Sequence, residues 1–284
     1  MIKKITPPGQ LLEVYKPPNG LYYKGNTNCL NKTCISIVGT RKYTDYGEFM
    51  TQKIIEELAV LDIAIVSGLA IGIDTIAHKT ALKLGIPTIA VLGSGLNNIY
   101  PRINLNLAQE ITQNGLLLSE YEPEAPPLSY NFPQRNRIIS GLSVATIVIE
   151  APEKSGALIT ARFALEQGRE IFVVPGDVDR TNSKGITNLL QRGGAYPVTC
   201  GQDIIEVLKI QPHLFPQEKS SQPIYKFTPE EAQIIDNMQK RRPITLEEIA
   251  YKSSLQIEKI LATLSILEIK GLVSTKDGKY LRKC

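Results

Sequence analysis

The chain has 284 residues, 43% hydrophobic and 21% charged, with 32 lysines and arginines against 28 acidic residues for a net charge of +4. Such a composition fits a soluble globular protein with room for a substantial core, in one large domain or one large plus one small, and its mild basicity permits a nucleic-acid partner without arguing for one. Cys29, Cys34, Cys200 and Cys284 form no CxxC pair and only His78 and His213 could join them, so no metal site is expected.

In chain order, the first segment carries Pro7, Pro8, Pro17 and Pro18 where a signal peptide would need an apolar run, and no stretch approaches the length of a membrane span. A cytoplasmic protein with reduced thiols is expected, with no membrane partner. Residues 1–30 read as an extended lead-in with one short strand. From Cys34 a regular alternation begins. CISIVG, IAIVSG, PTIAVLG, LLLSEY, VATIVIEA and EIFVVPG read as strands, and YGEFMTQKIIEELAVL, GIDTIAHKTALKLG, INLNLAQEITQNG, QRNRIISG and SGALITARFALEQG as the helices between them, the last with Ser155 as N-cap. ITNLLQRGG, AYPVT and GQDIIEVLK complete the pattern. Strands apolar on both faces that alternate with helices predict a doubly wound, mostly parallel sheet of the Rossmann-like class over residues 31–209.

The alternation then stops. Residues 210–227 are rich in Pro, Ser and Gln and read as a linker. TPEEAQIIDNMQ predicts a helix with Thr228 as N-cap, Pro229 at its first position and Glu231 closing a capping box. Two further helices, TLEEIAYKS and QIEKILATLSILEIKG, precede short alternating runs around Asp277-Gly278, a hairpin signal. Residues 228–284 are therefore predicted to form a small winged-helix domain.

Ligands of open α/β sheets bind beyond the carboxyl ends of the strands. Small residues recur there: Gly39, Gly68, Gly72, Gly93, Gly95 and Gly156 all sit in strand-to-helix turns. Such turns let backbone N–H groups approach an anion near helix N-termini, although tight turns alone also favour glycine. The dinucleotide fingerprint, the P-loop and the GxSxG elbow are absent. His78 lies inside a helix and reads as a packing residue, and Asp74, Glu120, Glu150 and Asp177 read as caps and ion-pair partners. No enzyme signature is present and no catalytic residue or cofactor is expected.

FPQRNRIISGLS, Phe132 to Ser143, places Arg135 and Arg137 beside a buried strand. Together with Arg41 they are expected at the rim of the same groove, where guanidinium groups hold phosphates through paired donors and Phe132 and Tyr130 offer stacking faces to bases. In the bland alternative, Phe132 is core and the arginines pair with Glu120 and Glu150.

IVGTRKYTDYG, VSGLAIGIDTIAH, IAVLGSGLNNIYP, FPQRNRIISGLS and EAPEKSGALITARFALEQGREIFVVPG resemble, in order and spacing, the DNA-processing protein A family, also called DprA or Smf, from about residue 13 to 208. The C-terminal segment is similar to the winged-helix domain of many members. The resemblance implies a non-enzymatic, homodimeric protein that binds single-stranded DNA in a basic pocket, protects incoming strands and loads the RecA recombinase onto them during natural transformation. By motif it assigns DNA contacts to Arg41, Phe132, Arg135, Arg137 and Lys154, with Arg102 as a weaker candidate; Arg162, read as buried, is left out. Members often begin with a helical domain of the sterile-alpha-motif type, expected to be absent here. Glu122 and Glu124 are expected near the groove, weakening DNA contacts locally.

Two other functions remain open. A nucleotide-hydrolysing enzyme on a Rossmann-like domain would need an acid such as Glu150 beside a ribose. A transcription regulator would read duplex DNA with the winged helix, but the third helix sets Glu258 and Glu268 against Lys259 and Lys270 and is nearly neutral, which favours a protein-interaction or auxiliary DNA role. The basic residues of this domain are instead Lys240, Arg241, Arg242, Lys279, Arg282 and Lys283.

Overall fold

A computed structural model describes residues 1–210, 227–238, 244–253, 255–276 and 278–282 of the chain. Most of the expected linker, the Lys240–Arg242 cluster, Asp277 and Lys283 lie outside these residues. The chain divides into two compact units, Met1–Gln217 and Glu218–Cys284.

The first unit holds strands β1 (Lys3–Ile5), β2 (Leu21–Gly25), β3 (Thr33–Val38), β4 (Ile63–Ser67), β5 (Thr88–Leu92), β6 (Leu116–Ser119), β7 (Ala145–Val148), β8 (Glu170–Val173) and β9 (Tyr196–Pro197). They form one sheet in the order β1-β2-β6-β5-β4-β3-β7-β8-β9. From β6 to β9 every pairing is parallel, as the two-sided apolar strands predict. Helices α1 (Asp45–Leu58), α2 (Ile73–Lys83), α3 (Leu105–Asn114), α4 (Asn131–Gly141), α5 (Gly156–Glu166), α6 (Lys184–Gln191) and α7 (Gly201–Leu208) make the connections.

Period-two alternation along the strands divides the core. Ile35 and Ile37 of β3 face Ile54, Ile55 and Leu58 of α1, Ala77 of α2 and Ile204 of α7. Cys34 and Val38 face the other way, toward Ile138 and Ile139 of α4 and Ala161 and Ala164 of α5. The lead-in departs from the expectation. It supplies two antiparallel edge strands rather than one, and Leu11, Val14 and Leu21 are buried in the same layer as α4 and α5. Apolar burial pulls it onto the sheet despite its prolines.

Connections from β3 run outward to β6 on one side, and the chain then returns to place β7 on the other side of β3. This switch between β3 and β7 leaves a crevice at their carboxyl ends. Thr40 N–H, just past β3, donates to the carbonyl of Glu150, just past β7, at 2.7 Å and sets the width of the crevice.

The second unit is a winged-helix fold: α8 (Pro229–Asn237), α9 (Leu246–Ser253) and α10 (Ile257–Ile269), then the hairpin β10 (Val273–Lys276) and β11 (Lys279–Arg282), joined by a bridge from Ile244 to Tyr280. Ile234, Ile249, Ile260, Leu264 and Leu267 form its core. The capping box is present: Thr228 Oγ1 accepts from Glu231 N–H at 3.2 Å while Glu231 accepts from Thr228 N–H at 3.1 Å. Thr228→Ala is expected to destabilise α8 by about 1 kcal/mol. Amide hydrogen exchange checks this: the α8 amides should exchange about five times faster, with α3 unchanged.

Candidate nucleic-acid interface

The loops that follow β3 to β8 surround one groove of about 740 Å³. Arg41 leaves the turn after β3, Tyr100 follows β5, Phe132 and Arg135 come from the start of α4, Lys154 and Gly156 from the start of α5, and Asn182 follows β8. An adjoining niche of about 50 Å³ is walled by Arg41, Gly68, Tyr100, Phe132 and Arg135. Arg41, Lys42 and Lys154 are exposed and make no ion pair among the described residues. Three free cations on one rim favour a polyanion.

Helix α4 explains why FPQRNR lies here. Pro133 falls in the first turn, where its missing N–H costs no hydrogen bond. Phe132 is half-buried and tilts against Tyr100, with ring centroids 5.5 Å apart. The two arginines part company. Arg135 is buried, and its Nη1 donates to the carbonyls of Gly68 at 2.7 Å and of Val91. Burial lowers its pKa to about 10, opposed chiefly by Asp74, so it stays charged at neutral pH. Asp74 in turn accepts from Gly68 N–H at 3.0 Å and Ala70 N–H at 3.3 Å, and burial pushes its pKa up. Arg135 is thus first a clamp on the loop between β4 and α2, with Nη2 left without a protein acceptor among the described residues.

Arg137 points away from the groove, which corrects the expectation. Its donors go to the carbonyl of Lys16 at 3.0 Å and to both oxygens of Glu120, at 3.0 and 2.6 Å, so it fastens the lead-in to α4. At about 100° per residue, side chains two apart on a helix face nearly opposite directions. The ion pair with Glu120 is the bland alternative realised; no bond joins either arginine to Glu150 among the described residues. Arg102 is exposed but does not line the groove.

The glycines also divide. A Cβ at Gly156 would meet nothing within 4 Å, so the N-terminus of α5 is open to a ligand. At Gly39, Gly68, Gly93 and Gly95 it would run into Ile73, Arg135, Phe132 and the Glu122–Pro123 backbone. Close packing accounts for those four. Gly72 has φ +91° and its absent Cβ leaves room for the Thr40 carbonyl and Arg41 Cα, so it seats the Arg41 turn.

Several neighbours were not singled out from sequence. Lys42 adjoins Arg41, and Asn182 holds its carbonyl at 2.9 Å. Tyr100 could have been found in NNIYP as an aromatic beside a strand end. Arg162, expected to be buried, is exposed, since Ala157, Thr160, Ala161 and Ala164 form the buried side of α5. Glu122 and Glu124 line neither hollow; Glu124 accepts from Asn97 at 2.8 Å, and the Pro123 carbonyl accepts from Asn97 N–H. Glu150 accepts from Thr44 N–H at 3.0 Å and Thr44 Oγ1 at 2.6 Å, and so holds the residue that caps α1. Among the described residues no group of three or more His, Cys, Asp or Glu could hold a metal, and no helix is long and apolar enough to cross a membrane.

His78 is buried with Nδ1 2.7 Å from Thr88 Oγ1, whose own proton goes to the Ile65 carbonyl at 2.9 Å. Nδ1 therefore carries the proton and Nε2 is bare and unpartnered. Burial, helped by the charge of Arg135, lowers its pKa from 6.5 to about 3. Between these values the unfolded chain binds a proton that the folded one does not, so stability falls as pH drops through 6.5 and the effect levels off below 3. Urea midpoints of wild type and His78→Gln should show it: the variant's loss from pH 7 to pH 4.5 is expected to be smaller by about 2–3 kcal/mol.

Comparison with known proteins places this geometry. A family model described as DNA recombination-mediator protein A matches residues 2–209, and one described as the DprA winged helix domain matches residues 217–279. The chain is 37% identical to Protein Smf of Escherichia coli over 97% of its own length and 74% of that protein. It is 45% identical to DNA processing protein DprA of Streptococcus pneumoniae over 70% of each chain. The crystal structure of the latter covers 75% of each chain with TM-score 0.70 and 41% identity. A structure of DNA processing protein A from Helicobacter pylori, which concerns its unique single-stranded DNA binding mode, covers 73% of this chain and 95% of its own, with TM-score 0.68 and 35% identity. With one family model spanning the sheet and its helices and another the winged helix, the chain belongs to the DNA recombination-mediator protein A family.

Proposed function

We propose that the groove binds single-stranded DNA, and that the protein acts as a homodimer in the cytoplasm, without catalysis, to protect incoming strands and load the RecA recombinase onto them in natural transformation. The observation that carries the DNA-binding part is the rim of free cations, Arg41, Lys42 and Lys154, around the aromatic pair Phe132 and Tyr100. Phosphates meet the cations while bases, unpaired in a single strand, can lie on the rings. Arg135 contributes from the floor of the groove through Nη2 and by holding the Gly68 loop. Gly156 offers backbone donors. Gly39 lines the groove, and Arg137, Gly72, Gly93 and Gly95 shape the site from behind it. The single-stranded DNA binding of the Helicobacter pylori relative supports the same reading. RecA loading, transformation and the dimer rest on the family resemblance.

Two features weigh against the rival functions. The oxygens of Glu150 are engaged by Thr44, which leaves a poor acid for nucleotide hydrolysis. The exposed side of α10 mixes Ile257, Leu261, Ile266 and Ile269 with Glu258, Lys259 and Glu268, a surface of no net positive charge that suits a protein contact better than a duplex groove.

Fluorescence anisotropy of a labelled oligo-dT and its duplex counterpart tests the proposal. The single strand is expected to bind at least tenfold more tightly than the duplex, with log K falling linearly against log salt. Equal affinity for the duplex, or no dependence on salt, overturns it.

A further inference from the structure

Beside the groove, a second hollow of about 410 Å³ lies on the outer face of α5, lined by Glu153, Lys154, Ser155, Gly156, Leu158, Ile159 and Arg162. Lys154, Ser155, Gly156 and Ile159 line the groove as well, so the two form one continuous surface. Leu158, Ile159 and Arg162 share a helix face at three- and four-residue spacing. Six residues of α5 separate Gly156 from Arg162, a span of about 9 Å at the rise of an α-helix.

The side chain of Arg162 is 66% exposed, and its only ion pair among the described residues is through Nε to Glu166 on its own helix at 3.5 Å. An exposed pair of this kind contributes little and yields readily to a phosphate. Both terminal nitrogens, the paired donors of a guanidinium, have no protein acceptor among the described residues. Leu158 and Ile159 form an aliphatic floor between Lys154 and Arg162 over which a sugar or base can pass. Glu153 stands at the other end of the hollow and disfavours a path on that side, which directs a polyanion toward Arg162.

We propose that a single strand longer than the groove continues over α5 and that Arg162 is a second phosphate-binding position, outside the groove. This rests on single-stranded DNA being the ligand of the groove. The footprint then runs from Arg41 and Phe132 across Lys154 and Gly156 to Arg162, and affinity rises with strand length beyond what the groove alone holds.

Anisotropy with dT6 and dT20 on wild type, Arg162→Ala and Glu166→Gln tests it. For dT20, Arg162→Ala is expected to weaken binding three- to tenfold and to reduce the salt slope by about 0.7, one phosphate on a single strand. For dT6 it should change neither. Glu166→Gln, which frees the guanidinium, should tighten dT20 about twofold by removing a competing carboxylate. Unchanged dT20 binding in Arg162→Ala overturns the inference, as does an equal loss for dT6 and dT20, which would put Arg162 within the groove's own footprint. If wild type binds neither strand, the groove proposal itself fails, and that result is separate from the comparison between the variants.

Discussion

Replacing Arg41 and Lys154 together by alanine is expected to weaken oligo-dT binding about a hundredfold at low salt, roughly tenfold for each charge-assisted phosphate contact removed. The salt slope should drop by about 1.4, two phosphates at 0.7 each. Both side chains are exposed and hydrogen-bond to no protein group among the described residues, so the variant should fold as wild type does, which circular dichroism and an unchanged urea midpoint would establish. A folded variant that binds with wild-type affinity and slope would move the strand out of the groove. The effect separates cleanly from Arg162, because it should appear with dT6 as strongly as with dT20.

Arg135→Met should act on a different property. Methionine fills much of the volume but removes the donors to the Gly68 and Val91 carbonyls and leaves Asp74 as a buried carboxylate without its neighbouring charge. Removing the compensating charge from a buried carboxylate costs about 3–5 kcal/mol. Asp74 already has a raised pKa, so its folded form holds a proton more firmly than the unfolded chain does. The deficit should therefore shrink as pH falls and Asp74 becomes neutral, and chemical denaturation at pH 7 and pH 5 would show it. Asp74→Asn in the same background should recover part of the loss at pH 7, since the two changes share one network. If Arg135→Met is as stable as wild type while DNA binding collapses, the residue is a ligand contact alone and not a clamp.

The apolar runs of the strands and the 3.6-residue spacing of the helices determined the architecture by themselves, because both signals are local and repeat from unit to unit. Thr228, Pro229 and Glu231 likewise announced α8, and Ser155 announced α5, since a cap acts on backbone groups two or three residues away. The strand-end position of Arg41, Phe132 and Lys154 was equally legible, because a parallel sheet puts all its carboxyl ends on one side.

Which side chain faces the groove was decided only in three dimensions. Arg135 and Arg137 belong to one short motif, yet their directions on α4 send one to the Gly68 carbonyl and the other to Glu120 and Lys16, partners 67, 17 and 121 residues away. The exposure of Arg162 has the same origin: the small residues on the far side of α5 make the buried contact. The lead-in joined the sheet through pairing of β2 with β6, about a hundred residues apart, and nothing in its prolines and glycines signals that register. Burial and long-range hydrogen bonding depend on where the chain returns, and a linear pattern records only the faces each element offers to that return.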